Sequence, residues 1–219
     1  MLAAVLIVLL LLPLGIITAQ LGLGTKTWIG YSLYKVAFLV PPVIYCRLCG
    51  IGLVRDILKL QNWRRGLGVA FFLGLLAIAT FWIAYYVLGD LLLDKDRITA
   101  RIDAQFHVNA STILLITPIT ILANSLLEEF FYRGFAYGQL ARWHAGAAYL
   151  LPSLAFTVQH LLFIRDWVTF LPLMLAIAGL VVFAIILSWL YATYESIIAP
   201  WLTHIFGDVA MMGIALTLV

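Results

Sequence analysis

Seven near-continuous apolar stretches dominate this chain, each close to the ~20 residues that carry a helix across a bilayer. They run over about residues 2–23, 28–49, 67–93, 111–140, 144–163, 167–194 and 196–219. In lipid every backbone polar group must be satisfied internally, so only helices or a closed barrel can span. Apolar residues here are continuous and not alternating, which selects helices. Composition agrees: 65% of residues are hydrophobic and 11% charged, against about 45–50% and about 25% in soluble domains. Mean hydropathy is +1.10. The sequence therefore predicts an all-α, polytopic integral membrane protein with about seven transmembrane helices. An eighth short element follows if Pro172 or Gly179 divides the long sixth stretch. One membrane domain, 1–219, accounts for the whole length, with N-terminal spans and a polar connection over 1–110 and a charged core over 111–219.

Local signals refine this plan. Pro41 and Pro42 are expected to kink or break the second stretch, whereas Pro200 falls in the first turn of the seventh, where proline is tolerated. The polar stretch 94–109 reads as a short surface helix, because Ile98, Ile102 and Phe106 recur every four residues. Arg47, Arg55, Lys59, Arg64 and Arg65 crowd one connection, 50–66 and its edge, and place it in the cytoplasm. The N-terminus is then inside and the 94–109 stretch outside. Binding of acidic lipid head groups is a second reading of the basic cluster. A net charge of +3 calls for no nucleic-acid partner. The apolar N-terminus lacks a positive n-region and reads as a first span, not a signal peptide. Cys46 and Cys49 form a lone C-x-x-C, read as incidental to chemistry.

Charges inside spans cost at least ~2.5–3.5 kcal/mol each on insertion scales, so those that occur are informative. The first and third stretches have none centrally; the fourth holds Glu128, Glu129 and Arg133, the fifth His160, and the seventh His204 and Asp208. On this reading the exceptions are confined to three spans near the C-terminus. Glu129 and Arg133 stand at i, i+4 with the acid first, the favourable order for a pair. Glu128 is turned about 100° away and is left needing other partners. His204 and Asp208 are also i, i+4, and an aspartate behind a histidine fixes its tautomer. Counting 1.5 Å per residue from the cytoplasmic ends puts Glu128 roughly 18 Å, His160 roughly 24 Å and His204 roughly 13 Å deep. All three fall in the middle of a core about 30 Å thick and can meet. Such a set suits proton chemistry, with a carboxylate as general base and histidines stabilising an oxyanion. It can alternatively bind Zn²⁺ through histidines and a carboxylate. His107 and His144 lie at segment ends, and Glu195 and Arg165 look interfacial. Gly134 and Gly138 form a small-xxx-small pair suited to helix packing.

Three motifs carry a resemblance. Glu128-Glu129-Phe-Phe-Tyr-Arg133 resembles the E-E-x-x-x-R motif of the CPBP intramembrane proteases, which include the CAAX prenyl proteases of type II and the Abi proteins. Phe156-Thr-Val-Gln-His160 is similar to that family's F-x-x-x-H, and His204-Ile-Phe-Gly-Asp208 to its H-x-x-x-N/D. The likeness covers roughly 111 to the C-terminus. It implies an eight-helix-type membrane fold with a conical intramembrane cavity, and an endopeptidase acting on prenylated or other hydrophobic, membrane-associated peptides. It implies Glu128 as water activator with His160, an oxyanion site at His204 and Asp208, and support from Glu129, Arg133 and Phe156. Position 208 holds Asp where eukaryotic members have Asn, and an orienting role toward His204 suits an aspartate better than donation to an oxyanion. The family has been described both as metal-dependent, with Zn²⁺ possible here, and as a metal-free glutamate protease. A cell membrane in a prokaryote, or the endoplasmic reticulum in a eukaryote, is the implied location. A proton-coupled transporter and a non-catalytic scaffold or immunity factor are the competing readings, since midplane Glu and His also mark proton relays.

Overall fold

The computed structural model describes residues 2–22, 35–106, 114 and 116–218, and among them every regular element is helical. Helix α1 (Leu2–Gly22) lies along the fifth apolar stretch, burying Val5 and Leu9 while Ile7, Leu10 and Leu11 face outward. A 3₁₀ turn (Lys35–Phe38) leads into α2 (Val40–Leu48). Pro41 and Pro42 fall in the first turn of α2, so the prolines start a helix after the turn and do not interrupt one.

The basic connection after α2 is more than the plain loop expected of it. The chain bends by 116° between residues 35–48 and 53–62. The π-helical turn Leu53–Leu58 then folds inward and buries Ile57 completely. Tyr191 Oη donates to the Ile57 carbonyl at 2.7 Å. Gly134 allows the approach: a Cβ there would come within 2.8 Å of Ile57 Cγ2 and 3.3 Å of its carbonyl oxygen. The packing role expected of Gly134 is thus explained by a specific neighbour.

Helix α3 (Leu67–Leu92) follows, and then α4 (Lys95–Phe106), the surface helix the four-residue spacing predicts. Ile98 and Ile102 are buried beneath it, Asp94 Oδ1 accepts from the Arg97 N–H at 2.9 Å, and Thr99 Oγ1 donates to the Leu218 carbonyl at 3.0 Å. His107 lies outside the described residues. The fourth apolar stretch is not a plain α-helix. Its described part runs through a π-helical segment (Ile119–Asn124), α5 (Ser125–Glu129), a second π-helical segment (Phe130–Tyr137) and α6 (Gly138–Leu140). π-Helical insertions concentrate at functional sites because they re-aim the side chains around them. All eight residues of the second segment are buried, so this run threads the interior instead of showing one face to lipid.

Three long helices complete the fold. His144 caps α7 (Ala145–Ile164) by accepting from the Ala147 N–H at 3.1 Å. Helix α8 (Phe170–Tyr194) is continuous, with Pro172 in its first turn and open space around Gly179, so the sixth stretch is not divided as the eight-element alternative required. Helix α9 (Ile198–Leu216) carries Pro200 in its first turn, as read from the sequence. By length and hydropathy α3, α7, α8 and α9 can each cross a membrane, and the bent pair 35–48 and 53–62 adds a fifth if it counts as one span. Among the described residues four or five spans are therefore found, where about seven or eight are expected of the whole chain; within those residues the fourth stretch is broken into short pieces and the apolar part of α1, Leu2–Ile16, is short. Only 11% of the most apolar window of α3 and of α8 is buried, against 39% for α9, which makes the first two the lipid-facing walls and α9 an inner helix. An apolar exterior of this kind belongs to an integral membrane protein.

Candidate active site

Three elements bring the predicted acids and histidines together. Glu128 and Glu129 end α5, His160 comes from α7, and His204 and Asp208 from α9. The 3₁₀ turn Lys35–Phe38 packs against α5 and adds a residue that the sequence reading passed over, Lys35. Glu128 and Glu129 are completely buried, His204 nearly so, and the His160 side chain is 29% exposed, which makes His160 the edge through which the site is reached.

The two adjacent glutamates face different ways, as their 100° offset requires. Glu129 Oε1 accepts from Arg133 Nη1 at 3.0 Å and from His204 Nδ1 at 2.7 Å. Arg133 Nη2 donates onward to the Ala184 carbonyl at 3.1 Å, and the guanidinium lies 4.7 Å from the Phe156 ring centre. The predicted Glu129–Arg133 pair is therefore present and wholly buried. A carboxylate only accepts, so His204 Nδ1 carries the hydrogen and Nε2 points into the site. This corrects one expectation. The carboxylate that orients His204 is Glu129, because it reaches Nδ1 within hydrogen-bond distance. Asp208 Oδ1 stands 3.7 Å from Nε2, beyond a direct bond, and Asp208 Oδ2 finds no donor among the described residues.

Glu128 has partners of its own. Its Oε1 accepts from the Lys35 ammonium and from Gln159 Nε2 at 3.0 Å. The Gln159 carbonyl oxygen is in turn held by Tyr132 Oη at 2.5 Å. Its Oε2 receives no described donor and is faced by His160 Nε2 at 3.7 Å and His204 Nε2 at 3.8 Å. His160 Nδ1 lies 2.9 Å from the Phe156 carbonyl, an acceptor, so it carries the hydrogen and leaves Nε2 as a lone-pair nitrogen when neutral. Phe156 performs the packing expected of it: its ring meets those of His160 at 4.2 Å and His204 at 5.6 Å between centres.

Lys35 overturns the confinement of intramembrane charge to three C-terminal spans. The signal was present, since Lys35 is the lone acid or base in the interior of the second apolar stretch before Arg47. Gln159 and Tyr132 sit inside the motifs themselves and were legible only as buried polar positions. Among the described residues no group of three or more His, Cys, Asp or Glu side chains is arranged to hold a metal ion, and the Lys35 ammonium occupies an oxygen of the central carboxylate. An open cleft of about 370 Å³, lined by Arg55, Lys59, Arg142, Tyr191 and Glu195 among others, contains none of the site residues.

Residues 110–210 match the family model described as type II CAAX prenyl endopeptidase Rce1-like. No curated protein and no solved structure matches the chain. Glu128, Arg133, Phe156, His160, His204 and Asp208 all fall inside the matched residues. Residues 110–210, the part that builds this buried acid and histidine cluster, are thus similar to the Rce1-like type II CAAX prenyl endopeptidase family, a family of membrane proteases.

Proposed function

We propose that this protein is an intramembrane endopeptidase of the CAAX type, hydrolysing peptide bonds in prenylated or other membrane-associated substrates without a metal ion. The observation that carries the reading is the environment of Glu128 Oε2. It is a fully buried carboxylate oxygen without a described donor, facing the Nε2 atoms of histidines from two different helices at 3.7 and 3.8 Å. These separations are too long for direct hydrogen bonds, and the reading places the attacking water beside Oε2 and the two Nε2 atoms.

In this mechanism a water between Glu128 and His160 donates one hydrogen to Oε2 and the other to His160 Nε2, leaving an oxygen lone pair to attack the scissile carbonyl. Glu128 takes the proton as general base and returns it to the leaving amine. His204, in its protonated form with Nδ1–H held by Glu129, donates its Nε2–H to the carbonyl oxygen and stabilises the charge that develops there. Asp208 flanks that nitrogen, while Arg133 and Phe156 hold the supporting frame. A single membrane domain of seven or eight spans enclosing a conical cavity, in the cell membrane or the endoplasmic reticulum, completes the proposal.

The test is cleavage of a farnesylated CAAX peptide by the purified protein in nanodiscs. Wild-type protein is expected to release the terminal tripeptide, with or without a zinc chelator. Glu128→Gln is expected to lower kcat at least about a hundredfold, the lower range of general-base contributions. Full activity in Glu128→Gln would remove the proposed base, and loss of wild-type activity with chelator would remove the metal-free mechanism.

A further inference from the structure

We infer that Lys35 is a positioning residue: it clamps Oε1 of Glu128 so that Oε2 alone remains to accept the proton of the attacking water. The inference rests on the reading of Glu128 as the base. Lys35 lies outside the family match at residues 110–210, so the N-terminal part of the chain completes the site.

Geometry makes the case. Oε1 receives two donors, the Lys35 ammonium and the Gln159 amide, while Oε2 receives none from the described residues. An ammonium can only donate, so it cannot compete for the water's proton. Gln159 is fixed in the same sense. Tyr132 Oη donates to the Gln159 carbonyl oxygen, which turns the amide nitrogen toward Glu128. A carboxylate gripped at one oxygen by two donors cannot rotate to exchange its oxygens, and its free oxygen is aimed between His160 and His204.

Charge leads to the same residue. Three carboxylates, Glu128, Glu129 and Asp208, share the site with two fixed cations, Lys35 and Arg133. Arg133 is committed to Glu129 and to the Ala184 carbonyl. Lys35 is thus the fixed cation that touches Glu128 among the described residues, and its own side chain is 16% exposed. A lone lysine in an apolar segment is costly, as is a lone glutamate, and each offsets the other. The 3₁₀ turn before the Pro41-Pro42 start of α2 delivers Lys35 to this point from a different part of the chain.

The experiment compares Lys35→Met, Lys35→Arg and Gln159→Leu with wild type and Glu128→Gln, using the farnesylated peptide in nanodiscs. Misplacing a catalytic group by about 1 Å costs on the order of a hundredfold, so Lys35→Met is expected to lower kcat about a hundredfold with KM little changed. Lys35→Arg, which restores a donor cation, is expected to recover at least about a tenth of wild-type kcat by the same reasoning. Where Lys35→Met is not recovered as folded protein, Gln159→Leu removes the other donor and is expected to cost about tenfold in kcat, again with KM unchanged. A loss that falls on KM alone, or an arginine variant no better than methionine, overturns the clamp. So does wild-type kcat in Lys35→Met or Gln159→Leu. Those results leave Glu128 as base intact provided Glu128→Gln is inactive. If Glu128→Gln is active, the base assignment and the clamp fall together.

Discussion

Replacing Glu129 by glutamine tests which carboxylate holds His204. Glu129 Oε1 takes two hydrogen bonds, from Arg133 Nη1 at 3.0 Å and His204 Nδ1 at 2.7 Å, and both are buried. An amide oxygen can accept the same two bonds, but without the negative charge of the carboxylate. Bonds to charged groups contribute about 1.5–3 kcal/mol and neutral ones about 0.5–1.5, so each loses about 1 kcal/mol. The Arg133 guanidinium also loses its counter-ion inside the protein, where breaking a buried pair costs about 3–5 kcal/mol. Thermal unfolding in detergent should therefore show a clear drop in Tm. On activity only the His204 bond counts. Loss of about 1 kcal/mol of orientation corresponds to roughly fivefold in kcat, and tautomer disorder can extend this toward the ten- to hundredfold range of supporting residues around a site. Asp208→Asn removes no hydrogen bond to His204, since the distance is already 3.7 Å. The expected result is a larger loss of kcat in Glu129→Gln than in Asp208→Asn, measured on the same farnesylated peptide. The reverse order would refute Glu129 as the orienting group and reinstate the i, i+4 reading of His204 and Asp208.

Two further substitutions probe the frame. Gly134→Ala puts a Cβ 2.8 Å from Ile57 Cγ2 and 3.3 Å from its carbonyl oxygen and should destabilise by about 1–3 kcal/mol, whereas Gly179→Ala, with nothing within 4 Å, should be neutral or stabilising by up to about 1 kcal/mol; detergent melting curves of the two separate packing from helix propensity. Tyr191→Phe leaves the Ile57 carbonyl without its 2.7 Å donor and should cost about 1–3 kcal/mol, read as a lower Tm with KM unchanged.

The membrane class, the surface helix over α4, the starts of α7 and α9, and the convergence of Glu128, His160 and His204 were all legible in the chain. Hydropathy and helical spacing are local properties, and a charge in an apolar segment stands out without knowledge of its neighbours. The breaks within the fourth stretch were not legible. Periodicity cannot distinguish a lipid-facing helix from the π-helical run Phe130–Tyr137, in which all eight residues are buried, because apart from Arg133 the run is as apolar as a span. Nor could composition show that the basic connection dips inward at Ile57, since one buried residue among many polar ones leaves no pattern.

What the sequence determined by itself is that this chain lives in lipid, and that Glu129 and Arg133 share a helix face while Glu128 looks elsewhere. These follow from transfer free energy and from 100° per residue. Tertiary structure alone decided which partners fill the remaining directions. It gave His204 Nδ1 to Glu129 instead of Asp208, 75 residues apart in the chain against four, and it brought Lys35 across 93 residues to Glu128. Such contacts are set by how helices cross and where a turn interrupts them, and spacing along a single helix carries no information about either.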